Sequence, residues 1–217
     1  MPDTPDAWRK TEVFFAGAVA LFTVVLGCVS LAQWCAMLQA NETNREALVS
    51  VQRAYVFVAP VPTLKILKES TGVKATPAKT VEGYLFQFQY NNSGTTPPKE
   101  MRGYINWYAK PVTKGFTYPD QGNAQTIPLV IPPKGNLNGT PFLMSPELMK
   151  AVYKDGAPLY FYGWTRYRDV FKKTPEHVTK FCYSVNAMTD PIDATHDTVI
   201  ALNLCPEHNC YDDECKD

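Results

Sequence analysis

Residues Val13–Leu38, VFFAGAVALFTVVLGCVSLAQWCAML, form a run of 26 residues without one charged side chain. No other feature restricts the possible folds of this chain so strongly. Inside hydrocarbon, backbone N–H and C=O groups must find partners within their own segment, so such a run is helical. At 1.5 Å per residue it extends about 39 Å, enough to cross a roughly 30 Å hydrocarbon layer with some tilt. Trp8 and Trp34 lie near its ends, where amphipathic rings favour the interface, and Gln33 lies near the second end. Cys28 and Cys35 fall within it, where a thiol acts as a small apolar group. A cleaved signal peptide has an apolar region of about 7–15 residues, well short of this one. Val25-Leu26-Gly27-Cys28 loosely resembles a lipidation box, but the ten residues after Cys28 stay apolar where a lipidated cysteine would meet a polar linker. The segment reads as an uncleaved single-pass anchor.

That reading divides the chain. Residues 1–12 form a short cytoplasmic N-terminus, 13–38 a transmembrane helix and 39–52 a juxtamembrane helical linker. Residues 53–205 form a β-sandwich domain, and 206–217 an acidic, cysteine-containing tail. The lipid bilayer is thus a partner through residues 13–38. Arg9 and Lys10 precede the helix closely, whereas Arg45 and Arg53 lie further beyond it, which places the N-terminus in the cytoplasm. The C-terminal domain is then extracytoplasmic, on the periplasmic side in a bacterium.

The soluble part is long enough to bury a core of its own. Its many aromatics, few charges and frequent prolines fit short strands joined by turns better than a helical bundle. Charge is uneven: residues 53–189 carry 17 Lys/Arg against 8 Asp/Glu, while residues 190–217 carry 8 Asp/Glu against Lys216 alone. Such a basic body could meet its own acidic tail or an anionic surface. Nucleic acid is excluded as a partner, since no basic stripe interleaves with a recognised motif.

Four cysteines belong to the soluble part: Cys182, Cys205, Cys210 and Cys215. An even number late in an extracytoplasmic domain fits two disulfides. Residues 177–186 and 198–205 read as a hairpin with its tip near Asp193, and Cys182 and Cys205 are equidistant from that tip. They would face each other, leaving Cys210 with Cys215. The competing reading is zinc held by Cys205, Cys210 and Cys215 with His208 and Cys182. Structural zinc sites usually contain a C-x2-C knuckle, which this stretch lacks, so no metal and no cofactor are expected.

Along the domain, Arg53–Val58 reads as a first strand ended by Pro60 and Pro62, and 63–79 as a loop or weak hairpin. Residues 81–90 alternate Tyr84, Phe86, Phe88 and Tyr90 with Leu85, Gln87 and Gln89, a clear strand closed by the turn Asn91-Asn92-Ser93-Gly94. Residues 101–108 alternate again, with Gly103, Ile105 and Trp107 on one face. Short strands follow at 125–131 and 141–144. Ser145-Pro146-Glu147 opens a helix that Gly156 stops. Residues 159–171, 178–186 and 198–205 complete about eight strands with one short helix. The expected fold is mainly β, an immunoglobulin-like sandwich behind a single transmembrane helix.

The order of these pieces resembles a family of uncharacterised bacterial single-pass membrane proteins. The N-terminal helix carries the likeness, with Gln52-Arg53-Ala54-Tyr55-Val56 and Asn92-Ser93-Gly94-Thr95-Thr96-Pro97. Residues Tyr162–Phe171, Phe181-Cys182 and Leu204-Cys205 carry the rest. Cys210 and Cys215 are additions to that pattern. The resemblance implies an anchor helix and an extracytoplasmic β-sandwich-like domain, and it carries no activity.

No phosphate loop, nucleophile elbow, HExxH or dinucleotide fingerprint occurs. His177, His196 and His208 sit in separate turn-like stretches, as solvated histidines do. Arg166 and Arg168 share one strand face, opposite Tyr167 and Asp169, and are candidates for contact with an anion. The bland alternative is an ion pair in which Asp169 ties down a turn. Trp107 and Trp164, with Tyr104, Tyr108, Tyr160 and Tyr162, are candidates for a stacking surface. The expected function is a non-catalytic interaction or scaffolding module for an envelope protein partner. A ligand- or carbohydrate-binding sensor is the alternative, and an unrecognised enzyme would show a cleft gathering Asp169, Arg166 and a histidine. A membrane-impermeant thiol reagent, applied to intact cells after reduction, is expected to label the C-terminal cysteines. Labelling only after permeabilisation would reverse the orientation.

Overall fold

A computed structural model of the chain describes residues 5–70, 78–112, 115–119, 125–126, 131–172 and 174–215. Two compact units divide it, one through Ser50 and one from Val51 onward. The first is a single helix, the part of α1 (Pro5–Gln52) that ends at Ser50. The α1 segment Glu12–Gln52 is long and apolar enough to cross a membrane, and the apolar side chains of 13–38 are exposed on every side of it. A helix apolar all round has no stable place in water by itself.

Among its described residues the second unit shows ten strands in two antiparallel sheets, where the sequence pattern pointed to about eight. The strands are β1 (Val56–Ser70), β2 (Ala78–Asn92), β3 (Lys99–Tyr108), β4 (Gln125–Thr126) and β5 (Asn136–Asn138). They continue with β6 (Phe142–Met144), β7 (Tyr160–Arg168), β8 (His177–Ala187), β9 (Ile200–Leu204) and β10 (Cys210–Tyr211). In the four-stranded sheet β2 pairs β1 on one side, and both β5 and β6 on the other. The six-stranded sheet runs β4-β3-β7-β8, with β9 and β10 pairing different stretches of β8. The second helix, α2 (Pro146–Lys154), joins the sheets. Its Ser145 cap accepts from the Leu148 N–H (3.2 Å), Gly156 follows with a φ of +60°, and Met149 and Val152 are buried.

One core lies between the sheets. Val56, Val58, Tyr84, Phe86, Phe88 and Tyr90 enter it from the four-stranded sheet, and Met101, Phe161, Tyr167, Phe181 and Val185 from the other. Phe161 is fully buried, with the rings of Phe86 and Phe88 at 4.9 Å and Phe142 at 5.6 Å. Gly163 is a point of close backbone approach in the β3–β7 pairing. A Cβ there would sit 1.9 Å from the Tyr104 carbonyl oxygen, so no other residue fits.

The first strand departs from the sequence expectation. Pro60 and Pro62 do not end it; β1 runs to Ser70, and β2 begins at Ala78, with 71–77 outside the described residues. The reason is that β1 is an edge strand. Val56 turns its N–H and C=O away from β2, toward Tyr167 and Thr179, so Pro60, four residues on, lacks an N–H only on the unpaired side. A register shift between Val61 and Leu64 absorbs Pro62. The strand read at 125–131 is described only as β4, since 127–130 lie outside the described residues.

Phe161→Ala is expected to cost about 3–5 kcal/mol in urea unfolding of the whole chain in detergent. A loss under about 1 kcal/mol would show that the two sheets do not depend on this ring.

Candidate functional site

Successive side chains of a strand alternate between faces, so β7 sorts its own chemistry. Phe161, Tyr167 and, just past its end, Asp169 turn inward and are buried. Tyr160, Tyr162, Trp164, Arg166 and Arg168 turn to the outer face of the six-stranded sheet. Of the four candidate binding residues, three are therefore brought together and one is not. Trp107, 41% exposed near the end of β3, pairs directly with Phe161 and so lies on the opposite sheet face from Trp164.

On the outer face Tyr104 and Lys180 flank Trp164 in register. The Trp164 and Tyr104 rings stack at 6.2 Å, and the Arg166 guanidinium lies over Trp164 at 4.8 Å. Further along, Tyr104 and Tyr162 are buried, with the Cys182–Cys205 disulfide, in a second small core on this face. Both phenols donate to the Pro119 carbonyl, and the Asn106 amide donates to both phenol oxygens. Tyr118 lies 5.3 Å from Tyr162 and stacks on His208 at 3.9 Å. This cover leaves less open aromatic surface for a sugar than the sequence offered.

The four cysteines of the second unit fall into two pairs. Cys182 and Cys205 have Cα atoms 5.3 Å apart, and the Cys205 N–H donates to the Cys182 carbonyl (3.0 Å). The β8–β9 register of Tyr183 with Leu204 puts them one step beyond. Cys210 and Cys215 are 5.2 Å apart between Cα atoms, around the short 3-10 helix Asp212–Cys215. Among the described residues, no group of three or more His, Cys, Asp or Glu side chains is placed to hold a metal ion.

A second cluster lies on the inward side, and sequence reasoning missed it. His177, read as a solvated turn residue, is 3% exposed. Its Nε2 meets Asp169 Oδ2 and its Nδ1 meets Asp212 Oδ2, each at 2.8 Å. Asp212 also accepts from the Val178 N–H (3.1 Å) and pairs with Arg53 (3.4 Å), which lies over the Tyr211 ring. Asp169 Oδ1 is buried without a hydrogen-bond partner among the described residues. Asp169 does tie down the β7–β8 turn, but through His177 and not through an arginine. Arg166 lies on the other face, so the cleft expected of an enzyme is not assembled here. Nothing local in the sequence links Asp212 to His177, 35 positions away; only the eight-residue spacing of Asp169 and His177 across a hairpin was a signal.

Both ring nitrogens face carboxylate oxygens, and only the imidazolium can donate to both. The Asp212 hydrogen bond, helped by Asp169 and opposed by burial, raises the His177 pKa. For Asp212, burial acts upward, but the His177 and Val178 hydrogen bonds and the Arg53 charge hold it below the usual carboxylate value. Comparison with protein-family models, with curated proteins and with solved structures finds no match for the chain.

The pH dependence follows with a definite sign. His177, raised when folded, contributes its full stability below about pH 6.5 and loses it as pH rises through the folded value. Asp212, lowered when folded, contributes fully above about pH 4 and loses it as pH falls through its folded value. Thermal melting of the wild type should therefore decline on both sides of that window. His177→Ala should cost about 3–5 kcal/mol, because Asp169 is left buried without its partner, and should abolish the decline on the alkaline side. An unchanged alkaline limb in this variant would exclude His177 as its source.

Proposed function

We propose that the chain is a membrane-anchored, extracytoplasmic and non-catalytic interaction module, held by residues 13–38 with its N-terminus in the cytoplasm. Its domain is read as an immunoglobulin-like sandwich, supported by two antiparallel sheets around one core. The resemblance to bacterial single-pass membrane proteins belongs to the same reading. The disulfides support an oxidising compartment.

The observation that carries the proposal is the division of polar chemistry between two faces. The acid–base pair Asp169 and His177 is buried, with side chains 0% and 3% exposed, and cannot touch a substrate. Arg166 and Arg168 open on the sheet surface, where they can touch a partner. A ligand- or sugar-sensing domain is the second reading, favoured by Tyr108, Tyr160 and Trp164, which are partly exposed on the sheet face where Tyr104 and Tyr162 are buried.

Affinity capture of the tagged full chain from native membranes tests the role, with a fragment of residues 1–52 as control. Envelope proteins enriched by the full chain and not by the fragment are expected. Equal capture by the helix alone would move the interaction into the bilayer and overturn the assignment to the domain.

A further inference from the structure

Arg102 on β3 lies directly opposite Arg166 on β7, and Lys99 lies directly opposite Arg168. Like charges in directly opposed positions on neighbouring strands destabilise a sheet. The pairing is also irregular there. The register skips between Lys99 and Arg102, and Glu100 has a φ of +50°, a left-handed conformation that costs a glutamate energy. Local carboxylates meet part of the charge: Arg102 contacts Glu176 at 2.7 Å and Arg168 contacts Glu100 at 3.4 Å. Arg166 meets no carboxylate among the described residues. It is exposed and rests over Trp164, and a stacked guanidinium keeps its in-plane N–H donors available.

We infer that this strip, Arg102 and Arg166 beside Trp164, binds the carboxylates of an acidic segment of a partner protein. The inference deepens the proposed interaction role and rests on it. An opposed pair of arginines is stabilised when carboxylates lie against both, and each guanidinium can take one in a two-point contact. The indole lowers the exposure of one of them to water, which strengthens the contact. The surrounding charge agrees, since residues 53–189 carry nine more cations than acids. The chain's own Asp212 is already engaged at His177.

Full-length protein in neutral detergent, titrated against fluorescein-labelled hexaglutamate and followed by anisotropy, tests the strip. Binding that weakens with salt is expected. Arg166→Gln and Trp164→Leu should each weaken it roughly tenfold or more, while Lys68→Gln on the other sheet should not. Arg166→Lys, which keeps the charge and loses the fork, should weaken it by less; it also replaces Arg166→Gln as the test should that variant fail to fold. Equal affinity of the wild type and the folded Arg166 variants for hexaglutamate overturns the inference. So does tighter binding to phosphatidylglycerol vesicles than to the peptide, which would make the occupant a membrane. If partners captured from native membranes are retained equally by wild type and Arg166→Gln, the interaction role stands and this strip is not its site. If hexaglutamate binding depends on Arg166 but nothing is captured, the strip stands and the envelope-protein role falls.

Discussion

An edge strand carries a row of backbone groups with no neighbouring strand to satisfy them, and β1 is in this condition. The six-stranded sheet supplies the missing partners through hydroxyl groups. The Val56 N–H donates to the Tyr167 hydroxyl (3.1 Å), Thr179 donates to the Val56 carbonyl (2.9 Å) and Tyr183 to the Val58 carbonyl (3.0 Å). Burial raises the Tyr167 and Tyr183 phenols above their ordinary value, so both remain protonated donors. These bonds fix how one sheet lies on the other. The aromatic core of Phe86, Phe88, Phe161 and Phe181 supplies the larger hydrophobic share but is far less directional.

The same end of the domain holds the root of the chain and its C-terminal segment. Thr95 and Thr96 donate to the Gln52 carbonyl, Tyr167 donates to the Ala54 carbonyl, and Arg53 pairs with Asp212. Tyr55 packs on Tyr211 at 4.7 Å. His177 is the centre of this region, because its two nitrogens join the β7–β8 turn to the segment after β10. A protonated imidazole between two carboxylates is costly to desolvate but worse to break, which makes it a specific join and a pH-dependent one. The Cys210–Cys215 bridge and the Lys180 contact with the Cys215 carbonyl (3.1 Å) hold the same segment by other means.

The alternation of β7 explains how one strand serves both purposes. Its inward residues build the join and the core; its outward residues carry Trp164, Arg166 and Arg168 to the surface. Fixing Tyr167 against Ala54 and Val56 therefore also fixes the outer face, since Arg166 and Tyr167 are adjacent on a stiff, paired strand. A sheet face held in this way fixes the backbone beneath its guanidinium groups, so that side-chain rotamer freedom is what remains to be lost on binding.

The local chemistry of the chain was enough for the long apolar helix, because a 26-residue uncharged run leaves the backbone no other state in lipid. It was enough for the Ser145-capped helix, for the strand around Phe86 and Phe88, and for the facing of Cys182 and Cys205, all of which depend on spacing within one or two elements. It separated Arg166 and Arg168 from Tyr167 and Asp169 for the same reason. Other features depend on elements far apart in sequence. The extension of β1 through two prolines required an open edge, visible only once β2 alone among the described strands lay beside it. The placing of Trp107 on the other sheet face from Trp164, the opposition of Arg102 to Arg166 and the burial of His177 between Asp169 and Asp212 required strand registers that no local pattern specifies. Periodicity determines which residues share a face of one element; packing alone determines what that face meets.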